Sequence, residues 1–123
     1  MIWVGLGGMI GAVLRYTADS IFAMLFNPGY PALSILFVNL TGCLIMGYIS
    51  GKIHSGSSEE MTLRLFLMTG ILGSFTTFSG FTIQALSLIE QSVPLFILFF
   101  FGQPVIGLVL MIAGSYLSVS RKK

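Results

Sequence analysis

The sequence predicts an all-α integral membrane protein with four transmembrane helices, the third broken at mid-membrane depth. Three observations carry this. Of 123 residues, 55% are hydrophobic and only 8% are charged, whereas a soluble domain runs near a quarter charged. The ten charges are grouped so that none falls between Asp19 and Lys52, between Arg64 and Glu90, or between Glu90 and Arg121. A crossing of the hydrocarbon core takes about 20 apolar residues, and four stretches meet that length. Backbone groups in lipid must bond internally, so these stretches should be helices. A single four-helix membrane domain spanning residues 1–123 is expected.

The first helix is expected over about residues 2–26 and includes Arg15 and Asp19. No basic residue precedes its apolar stretch, which argues against a cleaved signal peptide. A turn at Asn27-Pro28-Gly29-Tyr30-Pro31 leads to the second helix, about 32–53. A polar loop, His54-Ser55-Gly56-Ser57-Ser58, leads to the third, about 63–89. Gln91-Ser92-Val93-Pro94 introduces the fourth, about 94–120, with proline suited to a first helical turn.

The composition excludes several functions. A net charge of +2 is too small for a surface that tracks nucleic-acid phosphates. The one cysteine, Cys43, allows no disulfide framework, and its mid-helix position suits a small buried hydrophobe. The one histidine, His54, lies in a loop without catalytic company. Gly5-Leu6-Gly7-Gly8-Met9-Ile10-Gly11 does not follow a strand and has Ile10 where a third glycine belongs, so it is not a dinucleotide loop. An enzyme is not expected. Channel, transporter, and lytic or assembly protein remain.

The intramembrane polar groups then matter most. Gly7 and Gly11, and Gly47 and Gly51, have the four-residue spacing that lets helix backbones approach. Arg15 and Asp19 share a helical face, and a charge in a span faces water or a partner, or else snorkels to the interface. Asn39 lies among Ile35, Leu36, Phe37, Val38 and Leu40. Its amide must either glue helices together or line a pore. The third stretch crowds three glycines, three threonines and two serines into Gly70–Thr82. Such residues weaken a helix, and a break at that depth is tolerated only where protein buries it or water lines it. Carbonyls freed by the break can coordinate a cation. Phe78 and Phe81 share a face beside it, and aromatic ring edges are positive.

Three segments resemble one family. Gly7-Gly8-Met9-Ile10-Gly11-Ala12-Val13-Leu14-Arg15-Tyr16 is similar to its first-helix pattern GGxxGAxxRY. Val38-Asn39-Leu40-Thr41-Gly42 resembles its second-helix VNxxG, and Gly70-Ile71-Leu72-Gly73-Ser74-Phe75-Thr76-Thr77-Phe78-Ser79 its third-helix GxxGxxTTFS. In order, one per helix, these segments resemble the Fluc (CrcB) fluoride channels over the whole length.

The resemblance implies an antiparallel, dual-topology dimer in the cell membrane that passively exports fluoride through pores at the subunit interface. It implies that Phe78 and Phe81 offer ring edges to the ion and that Asn39 donates a hydrogen bond to it, with Ser79 and Thr82 on the same pathway. Arg15 would sit at an aqueous vestibule. A structural sodium at the dimer centre would be held by the backbone carbonyls of Gly73 and Thr76. The partners implied are fluoride, the lipid membrane and a second subunit, with no nucleic acid.

Three features depart from the family pattern. Gln84 stands where a glutamate is usual, and Gly107-Leu108-Val109-Leu110-Met111-Ile112 is apolar where the fourth helix often carries serine or threonine. The side shared by the termini and the second loop carries Lys52, Arg64, Arg121, Lys122 and Lys123, while the other side carries no Lys or Arg. That bias favours one orientation, termini in the cytoplasm. The second subunit is therefore either an identical chain or a related homologue of opposite bias. A small four-helix multidrug exporter is the alternative function. It would need an embedded carboxylate for proton exchange, and the only intramembrane acid, Asp19, lies beside Arg15 in sequence.

Overall fold

The computed structural model describes residues 1–26, 31–53 and 56–120. The described part is helical: α1 (Ile2–Phe26), α2 (Pro31–Lys52), α3 (Ser58–Arg64), a π-helical segment (Leu65–Leu72), α4 (Gly73–Phe75), α5 (Phe78–Gln91) and α6 (Val93–Ser120). Four helical stretches are long and apolar enough to cross a membrane: Ile2–Phe26, Ala32–Lys52, Ser58–Gln91 and Val93–Ser120. The chain is a multi-pass membrane protein. Of the expected connections, residues 27–30 and His54-Ser55 lie outside the described residues.

The third stretch starts five residues before the expected Leu63. Its start is chemical rather than hydrophobic. Ser57 caps α3, accepting from the Glu60 amide at 3.2 Å, and the Glu60 carboxylate accepts from the Ser57 amide at 3.1 Å. This reciprocal capping box satisfies two orphan donors of the first turn. The π-helical segment follows directly, a wider winding that apolar periodicity does not announce. Past it, Thr76 (φ −75°, ψ 157°) and Thr77 (φ −141°, ψ 118°) are extended, separating α4 from α5.

α6 is continuous through Pro104. Proline has no amide hydrogen, so the Phe100 carbonyl loses its helical donor there. Membrane helices tolerate this where neighbours compensate.

The helices pack as two pairs, α2 with α6 and α1 with the π-helical segment and α4. Glycine makes both pairings possible. A Cβ on Gly7 would lie 3.0 Å from the Gly70 Cα, and one on Gly11 would run into the Ile71 backbone. In the other pair a Cβ on Gly47 would strike the Met111 carbonyl, one on Gly114 would strike the Leu44 carbonyl, and one on Gly51 would lie 3.0 Å from the Ser115 carbonyl. With no hydrophobic drive between helices in lipid, close backbone contact is the attraction that remains. The buried apolar core is accordingly small: Val38, Leu72, Phe81 and Ala85. Most large apolar side chains point outward, as lipid solvation permits.

Candidate functional site

The site is built around the two extended threonines. Extending Thr76 and Thr77 diverts amides that a continuous helix would use internally. The Thr77 amide donates to Asn39 Oδ1 at 2.8 Å instead of to the Gly73 carbonyl. The Gly80 amide donates to Thr77 Oγ1 at 3.0 Å instead of to the Thr76 carbonyl, which makes Thr77 the N-cap of α5. Asn39 Nδ2 completes the join by donating to the Thr77 carbonyl at 3.0 Å.

Asn39 is thus bonded across to the third stretch. One of its two N–H groups remains, since a carboxamide carries two donors. Glue and pore-lining donor are compatible roles for this side chain.

Arg15 and Asp19 do not turn to each other. Arg15 Nη1 reaches the Thr76 carbonyl at 3.5 Å, a long contact. Asp19 Oδ1 accepts from Ser34 Oγ, linking α1 to α2. Ser34 is buried.

The two phenylalanines differ sharply in environment. Phe81 is buried and stacks on Phe99 at 5.3 Å and Phe100 at 5.6 Å between ring centroids. Phe78 is 81% exposed, yet its ring lies 5.9 Å from that of Phe81. Ser79 Oγ lies 3.3 Å from Thr77 Oγ1, and Thr82 Oγ1 donates back to the Phe78 carbonyl at 3.0 Å within α5.

A cavity of about 480 Å³ opens between α2, the extended pair and α6. It brings together Asn39, Thr76, Thr77, Phe78 and Phe81 with Gln103 and Pro104. Arg15, Ser79, Thr82 and Gly73 do not line it. Gln103 is the residue the sequence reading overlooked. It is the only polar side chain of α6 between Pro94 and Ser115, and that isolation was its signal. Gln84 is buried on α5.

Among the described residues no group of three or more His, Cys, Asp or Glu could hold a metal ion. A sodium would instead rely on carbonyl oxygens. The Gly73 and Thr76 carbonyls both lose their helical donors, and hard oxygen of this kind suits such a cation. These oxygens are of the kind a sodium takes, and the Arg15 guanidinium, 3.5 Å from the Thr76 oxygen, is a competing positive charge there.

The family model described as CrcB-like protein, Camphor Resistance (CrcB), matches residues 2–115. The chain belongs to this family. A Rhizobium meliloti (strain 1021) protein named fluoride-specific ion channel FluC is 37% identical over 121 residues, covering 97% of this chain and 86% of its own length. Fluoride-specific ion channel FluC 1 of Moorella thermoacetica is 37% identical over 118 residues, 95% of this chain and 84% of its own. The FluC of Rhodopseudomonas palustris (strain BisB5) is 36% identical over 112 residues, 90% of each chain. CrcB relatives are thus ion channels by name, not enzymes.

Proposed function

We propose that this protein is a fluoride-selective passive channel of the cell membrane that lets cytoplasmic fluoride out and so confers fluoride resistance. Its membership among proteins named fluoride channels supports the ion. The observation that carries the mechanism is the cavity where the Asn39 amide meets Phe78 and Phe81 beside the extended threonines. A small, strongly hydrated anion gives up water only where fixed donors replace it. Asn39 supplies an N–H, held in place by its two bonds to Thr77. Phe78 and Phe81 supply ring edges, with Ser79 and Thr82 further along α5 and Arg15 shaping the vestibule potential.

The break between α4 and α5 lies at mid-membrane depth, and the functional unit is an antiparallel dimer with its pores at the subunit interface. The 81% exposure of Phe78 agrees with this, because a pathway between subunits needs its aromatic ring unburied by its own chain. The Gly73 and Thr76 carbonyls would hold the central sodium, which supplies a structural tie between subunits.

The charge bias supports a second reading of the partner. Five basic residues on one side and none on the other favour one orientation. An antiparallel pair would then join this chain to an oppositely biased homologue.

Efflux from liposomes loaded with fluoride or chloride tests the function. Rapid fluoride loss with chloride retained is expected. Equal release of both anions, or of neither, would overturn it.

A further inference from the structure

Gln103 is a carboxamide inside the most hydrophobic helix of the chain, between Gly102 and Pro104. It is only 7% exposed, and its Oε1 is buried with no hydrogen-bond partner. Its Nε2 donates to no group among the described residues either. An unsatisfied buried amide costs about 1–3 kcal/mol. Nothing about α6 requires it, since leucine or methionine would fill the volume and suit the helix. The residue also lines the cavity that Asn39 and Thr77 line.

The free polar groups of that cavity are unbalanced. Asn39 Oδ1 is taken by the Thr77 amide, and the Thr77 carbonyl is taken by Asn39 Nδ2. Asn39 keeps one N–H, and Gln103 keeps two N–H groups and one oxygen. A half-turn about the last side-chain bond of Gln103 exchanges its oxygen and nitrogen at no cost in hydrogen bonds, because neither end has a partner. No charged side chain lines the cavity. Among the carboxamide groups of Asn39 and Gln103, three free N–H donors stand against one free oxygen, a balance that suits a small anion.

We propose that Gln103 is a fluoride-binding residue on α6, facing Asn39 across the cavity and donating through its carboxamide to the ion as it passes. This rests on the fluoride-channel reading and assigns it a polar contact on a fourth helix that is otherwise apolar from Leu95 to Gly114.

The test is Gln103→Met and Gln103→Glu in purified protein, measured by fluoride efflux from liposomes and by thermal unfolding in detergent. Removing an unpartnered amide is neutral or stabilising when its only role is packing. Gln103→Met should therefore melt at or above the wild-type temperature while fluoride efflux falls by about tenfold or more, the loss of one hydrogen bond to a charged ligand. Gln103→Glu should conduct when its acid is neutral and fail as it ionises, so efflux falls with rising pH between about 5 and 7.5. Wild-type efflux, corrected for protein-free liposomes, should not show that fall. If Gln103→Met cannot be purified, the pH profile of Gln103→Glu decides alone. Wild-type rates in Gln103→Met, or a flat profile in Gln103→Glu, would overturn the assignment. So would a lowered melting temperature or a dissociated dimer with efflux per channel unchanged. Wild-type protein that passes no fluoride would instead overturn the channel reading itself.

Discussion

Asn39 and Thr77 hold each other by two hydrogen bonds running in opposite directions, Nδ2 to the Thr77 carbonyl at 3.0 Å and the Thr77 amide to Oδ1 at 2.8 Å. One side chain thereby gives the Thr77 amide the acceptor it forfeits by leaving α4, and adds a donor to the Thr77 carbonyl, which as N-cap also opens α5. The extended pair exists because α2 carries an amide at that height.

Replacing Asn39 with leucine should leave the Thr77 amide without its acceptor and take the side-chain donor from the Thr77 carbonyl. An unpaired backbone group costs about 1–3 kcal/mol, so the variant should melt below wild type and lose fluoride efflux. Asn39→Asp keeps the acceptor but loses the donor, and brings a carboxylate oxygen to the Thr77 carbonyl. It should be destabilised too, and its charge should repel fluoride. Thermal unfolding and efflux check both. Wild-type stability in Asn39→Leu would mean the clamp is dispensable.

Phe78 and Phe81 should separate on mutation, because one is exposed and the other buried. Phe78→Ile should leave the melting temperature unchanged while strongly reducing efflux. Phe81→Ile should reduce efflux and also cost about 2 kcal/mol by leaving a void against Phe99 and Phe100. Normal efflux from both would show that the aromatic pair is not on the pathway.

The glycine crossings make a prediction with its own control. Gly47→Ala and Gly114→Ala drive a methyl group into facing backbone, and overpacking of this kind costs about 1–3 kcal/mol or more. Both should lower yield and melting temperature. Gly5 has nothing within 4 Å of an added Cβ, so Gly5→Ala should behave as wild type. Equal stability of all three variants would contradict the packing of α2 on α6.

Orientation can be read with topology reporters fused to the C-terminus. Five basic residues on that side should hold it in the cytoplasm. On the hetero-pair reading, the chain expressed alone should pair poorly and conduct weakly, and co-expression with an oppositely biased homologue should restore efflux. A stable dimer of identical chains with rapid efflux would leave the homodimer. Removing Arg121, Lys122 and Lys123 should relax the bias and partly rescue self-assembly.

Much was legible from residue chemistry along one chain. The absence of charge from Asp19 to Lys52, Arg64 to Glu90 and Glu90 to Arg121 marks the spans, because a charge in hydrocarbon is costly whatever the fold. The spacings of Gly7 with Gly11 and Gly47 with Gly51 foretold close backbone crossings, because small residues on one helical face have that effect in any bundle. Partners across helices could not be read. Arg15 and Asp19 looked like a pair, yet one reaches Thr76 and the other Ser34. Asn39 looked like either glue or donor, and only its distance to Thr77 shows that it grips the extended backbone. Phe78 and Phe81 looked equivalent, and the approach of α6 buries only the second. Gln103 drew no notice in the sequence, and only packing sets it in the same cavity as Asn39. Spans depend on transfer energies that each residue carries with it. Partners depend on which helix faces come together, and these are set by contacts between residues far apart in the chain.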